Sequence, residues 1–179
     1  MGGKFRLRTL CGFIRQTVGG SVNYCWAKKE QYRPMKGTFS GGCLCGYVRY
    51  EHAGDPGGAN YCHCPDCRRT TGSAFSIAVC ARVDALRIVS GHVKAYTKIA
   101  DSGNEITREF CPECGSPLFT RSPVHPESVY IKAGSLDDPA LVKPICQIWT
   151  EMAVPWARID ERLTTYPKGR LTAAKKKSQ

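Results

Sequence analysis

Three cysteines fall within six positions in Tyr61-Cys62-His63-Cys64-Pro65-Asp66-Cys67-Arg68-Arg69. A Cys-x-Cys knuckle lies upstream at Cys43 and Cys45, and a Cys-x-x-Cys knuckle downstream at Cys111 and Cys114. Seven thiols in three knuckles divide most naturally into four plus three. Four thiolates close a tetrahedral zinc; three leave a position open, which is what separates a catalytic zinc from a structural one. A fold for this chain therefore has to bring remote knuckles onto shared metal, and two Zn2+ per chain are expected.

Cys43-Leu44-Cys45-Gly46 and Cys111-Pro112-Glu113-Cys114-Gly115 are read as the closed, structural site. Alternate residues at a strand end point the same way, so Cys-x-Cys offers two sulfurs to one metal. Gly46 and Gly115 follow directly, where positive φ lets the chain curl back and turn its N–H groups toward the thiolates. Cys62, Cys64 and Cys67 are too close together to serve different sites and are read as the ligands of the open zinc. A sulfur-only site also admits iron. His63, between two ligands, is expected to point to the opposite face, at the surface or in an outer role, ahead of serving as a fourth ligand. Cys11, Cys25, Cys80 and Cys146 lack partners at ligand spacing, and Cys80 closes an apolar run and reads as core.

The 179 residues suit one domain with a hydrophobic core. Eleven cysteines, an odd number, without a visible secretory signal argue for metal binding in a reducing, cytoplasmic setting over a disulfide framework. No stretch reaches the roughly 18 apolar residues of a membrane span. The net charge of +11 suggests nucleic acid until it is located. Residues 1–34 carry +6 and residues 168–179 carry +5, so the body between them is balanced. A neutral body lacks the basic footprint that nucleic-acid binding needs, which argues against that partner.

Residues 1–34 show no sustained period and read as an extension outside the domain: a transit peptide, a disordered basic arm, or a segment upstream of a true start at Met35. Residues 35–167 read as the domain, and 168–179 as a disordered basic tail. Within the domain, Tyr47–Glu51, Phe75–Val79, Leu86–Val89, Val93–Ile99, Glu105–Phe110, Pro117–Thr120 and Val129–Lys132 read as strands, with another opening before Cys43. Helix is limited to a short turn after Cys64 and another after Asp137. The expected fold is mainly β, with short antiparallel strands in two small sheets.

An open three-thiolate zinc would bind a fourth thiolate from a substrate. Such a sulfur could attack an aldehyde carbon or release it in reverse. Arg68 and Arg69 are candidate anchors for carboxylates of a thiol peptide, and Ser73 a hydroxyl donor at the same rim. Rival readings are a non-catalytic zinc scaffold that uses its basic ends on an acidic partner, and a redox or metal-buffering cluster.

Four blocks in this order resemble the glutathione-dependent formaldehyde-activating (GFA) family: Gly42-Cys43-Leu44-Cys45-Gly46, Cys62-His63-Cys64-x-x-Cys67-Arg68-x-x-x-Gly72-Ser73, Phe110-Cys111-x-x-Cys114-Gly115-Ser116 and Gly134-Ser135-Leu136-Asp137-Asp138-Pro139. The likeness covers about Lys36 to Pro167. It implies a zinc-bearing β-tent fold and carbon–sulfur lyase chemistry on S-hydroxymethylglutathione. It further implies a structural zinc on Cys43, Cys45, Cys111 and Cys114 and a catalytic zinc on Cys62, Cys64 and Cys67. Members of the family commonly start near the position of Met35. Many carry His-Ile where this chain has Gln147-Ile148, so a substrate contact there would be altered. The family is broad, and membership does not fix the substrate.

Overall fold

The computed structural model describes residues 37–169. The extension 1–34, a start at Met35 and all but two residues of the basic tail lie outside them. Eleven strands and one α-helix follow in the order β1 Thr38–Gly42, β2 Arg49–Ala53, β3 Ala59–Cys62, α1 Pro65–Thr71, β4 Ser76–Arg82, β5 Leu86–Ser90, β6 Lys94–Ile99, β7 Glu105–Phe110, β8 Pro117–Arg121, β9 Ser128–Lys132, β10 Pro144–Ile148 and β11 Thr164–Tyr166. The helix after Cys64 is present, and a 3₁₀ turn, Pro139–Leu141, follows Asp138, whose carboxylate accepts the Ala140 N–H. No helix among the described residues is long and apolar enough to cross a membrane.

The strands form two sheets, as expected, but of unequal size. One is β1-β2-β5; the other runs β11-β10-β3-β4-β9-β8-β7-β6. Nor is the pairing all antiparallel, because β10 runs parallel to both β3 and β11. The sequence reading missed β3, β10 and β11. Each is five residues or fewer, and β3 ends on a ligand cysteine, so none shows sustained alternation.

The register of the large sheet sorts its side chains onto two faces. Directly paired residues share a face, and neighbours along a strand alternate. Val79 pairs with Ile131, and Ile131 with Phe119. All three are fully buried; Ile131 and Phe119 pack with Phe39, Val48 and Tyr50 of the small-sheet side into the main core, and Val79 packs with Ala59 and Ala133 in a smaller one. The opposite face carries Cys62 beside Ser76, Asn60 beside Ala78, Ala78 beside Lys132, and Tyr130 beside Thr120, itself beside Arg108. Polar residues in mid-sheet thus collect on the face that ends at the cysteine triad.

Cross-links hold the small sheet to the large one. The Tyr50 hydroxyl meets Ser135 Oγ at 2.8 Å, and Ser135 Oγ donates to the Lys132 carbonyl at 2.7 Å. Arg49 of β2 grips Asp137 with both guanidinium nitrogens, and Ser40 Oγ donates to the same carboxylate. The Gly134-Ser135-Leu136-Asp137 block therefore works as a sheet-to-sheet clasp.

Candidate metal centres and cavity

The Sγ atoms of Cys43, Cys45, Cys111 and Cys114 all lie within 4.8 Å of one another. Those of Cys43 and Cys45 are 3.5 Å apart, and those of Cys45 and Cys111 3.8 Å. Four sulfurs each about 2.3 Å from a shared zinc would stand about 3.8 Å apart, close to the spacings seen here, so the four thiols could hold one metal. The local chain explains why. Gly46 and Gly115 take φ of 78° and 72°, and their N–H groups bond back to the Cys43 and Cys111 carbonyls. The Val48 N–H donates to Cys43 Sγ at 3.2 Å. Ser116 Oγ accepts the Leu44 N–H at 3.0 Å and lies 3.2 Å from Cys114 Sγ, joining the two turns outside the sulfurs. Ser116, through its hydroxyl first and then its N–H, draws Cys114 down to about 5. One turn links β1 to β2 and the other β7 to β8, so this cluster fastens the two sheets together at their ends.

Cys62, Cys64 and Cys67 form the second cluster, with sulfurs likewise within 4.8 Å. Cys62 ends β3. Cys64 is the N-cap of α1, with Pro65 at the first helical position, and its sulfur accepts the Cys67 N–H at 3.4 Å. Gly72, at φ 61°, closes the helix after two turns. Hydrogen bonds from Cys62 and Cys67 pull Cys64 down to about 2, while the bond with Cys64 pushes Cys62 well above the ordinary thiol value. Negative charge thus gathers at Cys64, which suits a cation bound by all three sulfurs.

The triad opens onto a cavity of about 180 Å³. Its wall is the polar face of the large sheet, with Asn60, Ser76, Arg108, Thr120, Tyr130 and Lys132, closed at one side by Ile148 and Trp149. Trp149 has φ 59°, an unfavourable conformation for a bulky residue, and its N–H donates to the Lys168 carbonyl. Strain of this kind gathers at working sites. Asp66, in the first turn of α1, accepts from Lys98 at 2.9 Å and from Arg108 at 3.0 Å. The Asp66 and Arg108 side chains are only 12% and 11% exposed. Truncating Asp66 to alanine would leave a buried guanidinium without its carboxylate. Asp66→Ala is therefore expected to cost about 3 kcal/mol, read as the shift in the urea unfolding free energy.

Sequence reasoning passed over Lys132, Arg108, Thr120 and Trp149. The alternation in β9, where Val129 and Ile131 enter the core, already turns Tyr130 and Lys132 to the other face. Only the strand order brings that face to the triad. Of the predicted substrate residues, Arg68 and Arg69 lie on α1 and do not line the cavity. Ser73 lines a second depression, together with Cys43, Ser135 and Asp137.

His63 is fully buried on the face away from the triad, edge-on to Phe75, and bonded through Nε2 to Gln147 Oε1 at 3.0 Å. The Gln147 amide nitrogen donates to the Asp160 carbonyl at 2.7 Å, so its oxygen accepts and His63 Nε2 donates. Strand alternation accounts for both placements. Gln147 pairs with Tyr61, and Ile148 with Cys62, so the glutamine turns away from the cavity. The Gln147-Ile148 departure thus alters a buried partner of His63 and leaves the cavity wall untouched. Gln147→Leu strands the imidazole N–H. The expected cost is about 2 kcal/mol in denaturant unfolding, with metal content unchanged. Cys80 is buried and disulfide-bonded and belongs to neither cluster; Cys146 is also buried outside both.

No curated protein matches the chain. One solved structure, of a Rhodobacter sphaeroides protein, is 22% identical over 71% of this chain and 98% of its own, with a TM-score of 0.45. The family described as glutathione-dependent formaldehyde-activating enzyme matches residues 38–152, a span that includes both cysteine clusters and every strand but β11. Since that match takes in well over half of its length, the chain belongs to the GFA family.

Proposed function

We propose that the protein is a zinc-dependent carbon–sulfur lyase that forms or cleaves the adduct of a small thiol with an aldehyde, of the S-hydroxymethylglutathione type. The observation that carries this reading is the count of sulfurs: four in the cluster between the sheets and three in the one that faces a cavity. A zinc held by Cys62, Cys64 and Cys67 would keep an incoming thiol ionised at neutral pH, where a free thiol with a pKa of about 8.5 is only a few per cent ionised.

The chain's own residues do the rest. Ile148 and Trp149 limit water at one side of the cavity, and Asn60, Ser76 and Tyr130 offer donors for the aldehyde oxygen. In adduct formation the sulfur bonds the carbonyl carbon, the π pair moves to oxygen, and that oxygen takes up the proton released by the thiol. Cleavage runs the same steps backwards. Arg68 and Arg69, outside the cavity lining, are assigned to whatever part of a longer thiol extends beyond it, and Ser73 to the neighbouring depression. The family match over 38–152 supports a domain at 35–167. Protein carrying two zincs, mixed with glutathione and formaldehyde, should speed exchange between free and adducted thiol in exchange spectroscopy. No gain over the uncatalysed rate would remove formaldehyde from the assignment.

A further inference from the structure

Formaldehyde brings one oxygen to the cavity, yet the wall holds far more hydrogen-bonding capacity than one oxygen can use. Three adjacent strands contribute to it. Arg108 on β7 pairs directly with Thr120 on β8, which pairs with Tyr130 on β9, two residues before Lys132. Arg108 gives one end of its guanidinium to Asp66, while its Nη1 has no partner among the described residues, although it is buried. Thr120 Oγ1 is likewise buried without one. Lys132 is 8% exposed, and its ammonium bonds only a neutral hydroxyl, Ser76 Oγ at 2.9 Å. Buried polar groups are nearly always satisfied, so orphans that cluster on one wall of a cavity point to a ligand.

Charge balance narrows the ligand. Three thiolates on a dication leave one negative charge, which a single ammonium offsets. Arg108 is already matched by Asp66, and Lys98 adds a further cation to that carboxylate. Asp101, which also lines the cavity, brings the sum to neutral before substrate enters, and the spare groups on the Arg108–Thr120–Lys132 side are donors. A carboxylate accepts up to four hydrogen bonds and pairs bidentately with guanidinium. The cavity, at about 180 Å³, is smaller than the roughly 300 Å³ at which pockets for drug-sized ligands begin.

We propose that Arg108, Thr120 and Lys132 form a carboxylate subsite, and that the thiol or aldehyde handled at the triad is a small molecule with an acid group a few bonds from its reacting atom. The proposal rests on the thiol-binding reading of the triad and narrows its substrate class.

Isothermal titration of the full zinc-loaded chain with mercaptoacetate, 3-mercaptopropionate, 2-mercaptoethanol and acetate tests it. At least one of the two mercapto acids should bind tenfold or more tighter than 2-mercaptoethanol. Lys132→Met, which removes a buried charge and keeps the volume, should erase most of that advantage, measured against 2-mercaptoethanol on the same variant so that any weakening common to all thiols cancels. Arg108→Gln should act the same way and guards against an idiosyncratic effect of one variant. Equal binding of acidic and neutral thiols overturns the proposal, as does a preference that survives both substitutions. Acetate binding as tightly as the mercapto acids would mark a site for free anions and overturn the substrate claim. If no thiol binds, the thiol reading itself fails. The subsite then stands only if acetate binds and Lys132→Met abolishes that binding.

Discussion

Cys111→Ser is expected to leave no cooperatively folded domain at room temperature. Cys111 is fully buried at the start of the β7–β8 turn, and its sulfur stands 3.8 Å from that of Cys45 in the β1–β2 turn. The two turns belong to different sheets. Besides the shared core, the Ser116 hydroxyl, the Tyr50–Ser135 bond and the Arg49–Asp137 clasp, their junction would rest on a zinc shared by four sulfurs. A structural zinc contributes about 10 kcal/mol or more at neutral pH. A whole domain of this size is stable by only about 5–15 kcal/mol. Loss of one ligand therefore removes a contribution as large as the entire margin, and the serine hydroxyl is also left in a site built for thiolate. Thermal melting followed by circular dichroism, with zinc measured on the same samples, checks this. A sigmoidal melt close to that of the unsubstituted protein, with the four-sulfur site empty, would refute a structural role. Chelation should reproduce the substitution, and readdition of zinc should reverse it only in the unsubstituted protein.

The grouping of both cysteine clusters was legible in the sequence because its signal is largely local. Ligand spacing within a knuckle is fixed by one turn of chain, and positive φ at Gly46 and Gly115 follows from where the backbone must curl. Most strands could be read for a similar reason: Glu105–Phe110 and Val129–Lys132 alternate apolar with polar residues along the chain. The cavity wall was not legible. Arg108, Thr120 and Lys132 lie on three strands whose order in space, β9-β8-β7, continues through β4 to β3 and the triad. A register of pairings across five strands is set by packing of the opposite face, Val79 with Ile131 and Phe119, and leaves no mark at the wall residues themselves. The same holds for β10. Its parallel pairing with β3 depends on a long return of the chain, and it is this pairing that turns Gln147 toward His63 and Ile148 toward the cavity. Arg68 and Arg69 attracted attention because they adjoin a ligand in sequence. Adjacency to Cys67 on a helix does not give adjacency to the cavity its sulfur faces, since successive helical residues face different directions.

Cys64→Ser should separate chemistry from folding. Two thiolates and a hydroxyl do not hold zinc as three thiolates do, so metal content should fall from two to one per chain, and thiol–aldehyde exchange to the uncatalysed rate. The fold should persist. Cys64 is the N-cap of α1 and accepts the Cys67 N–H, a place where serine ranks among the best residues, so the helix start survives the change. The triad also lies on the polar face of the large sheet, away from the Ile131–Phe119 core and from the cluster that joins the sheets. Its metal stabilises the native state only through binding linkage, which vanishes when the ligand set is broken. The melting temperature should therefore drop by several degrees at most, in contrast to the collapse expected for Cys111→Ser. Cys64→Ala, which removes both the ligand and the cap, should lose an additional 1 kcal/mol or about that much relative to Cys64→Ser, with the same loss of metal and activity. If Cys64→Ser kept two zincs and full exchange activity, the three-sulfur site could not be the reacting centre. If it unfolded the domain as Cys111→Ser does, the division of the seven thiols into one structural and one open site would be wrong.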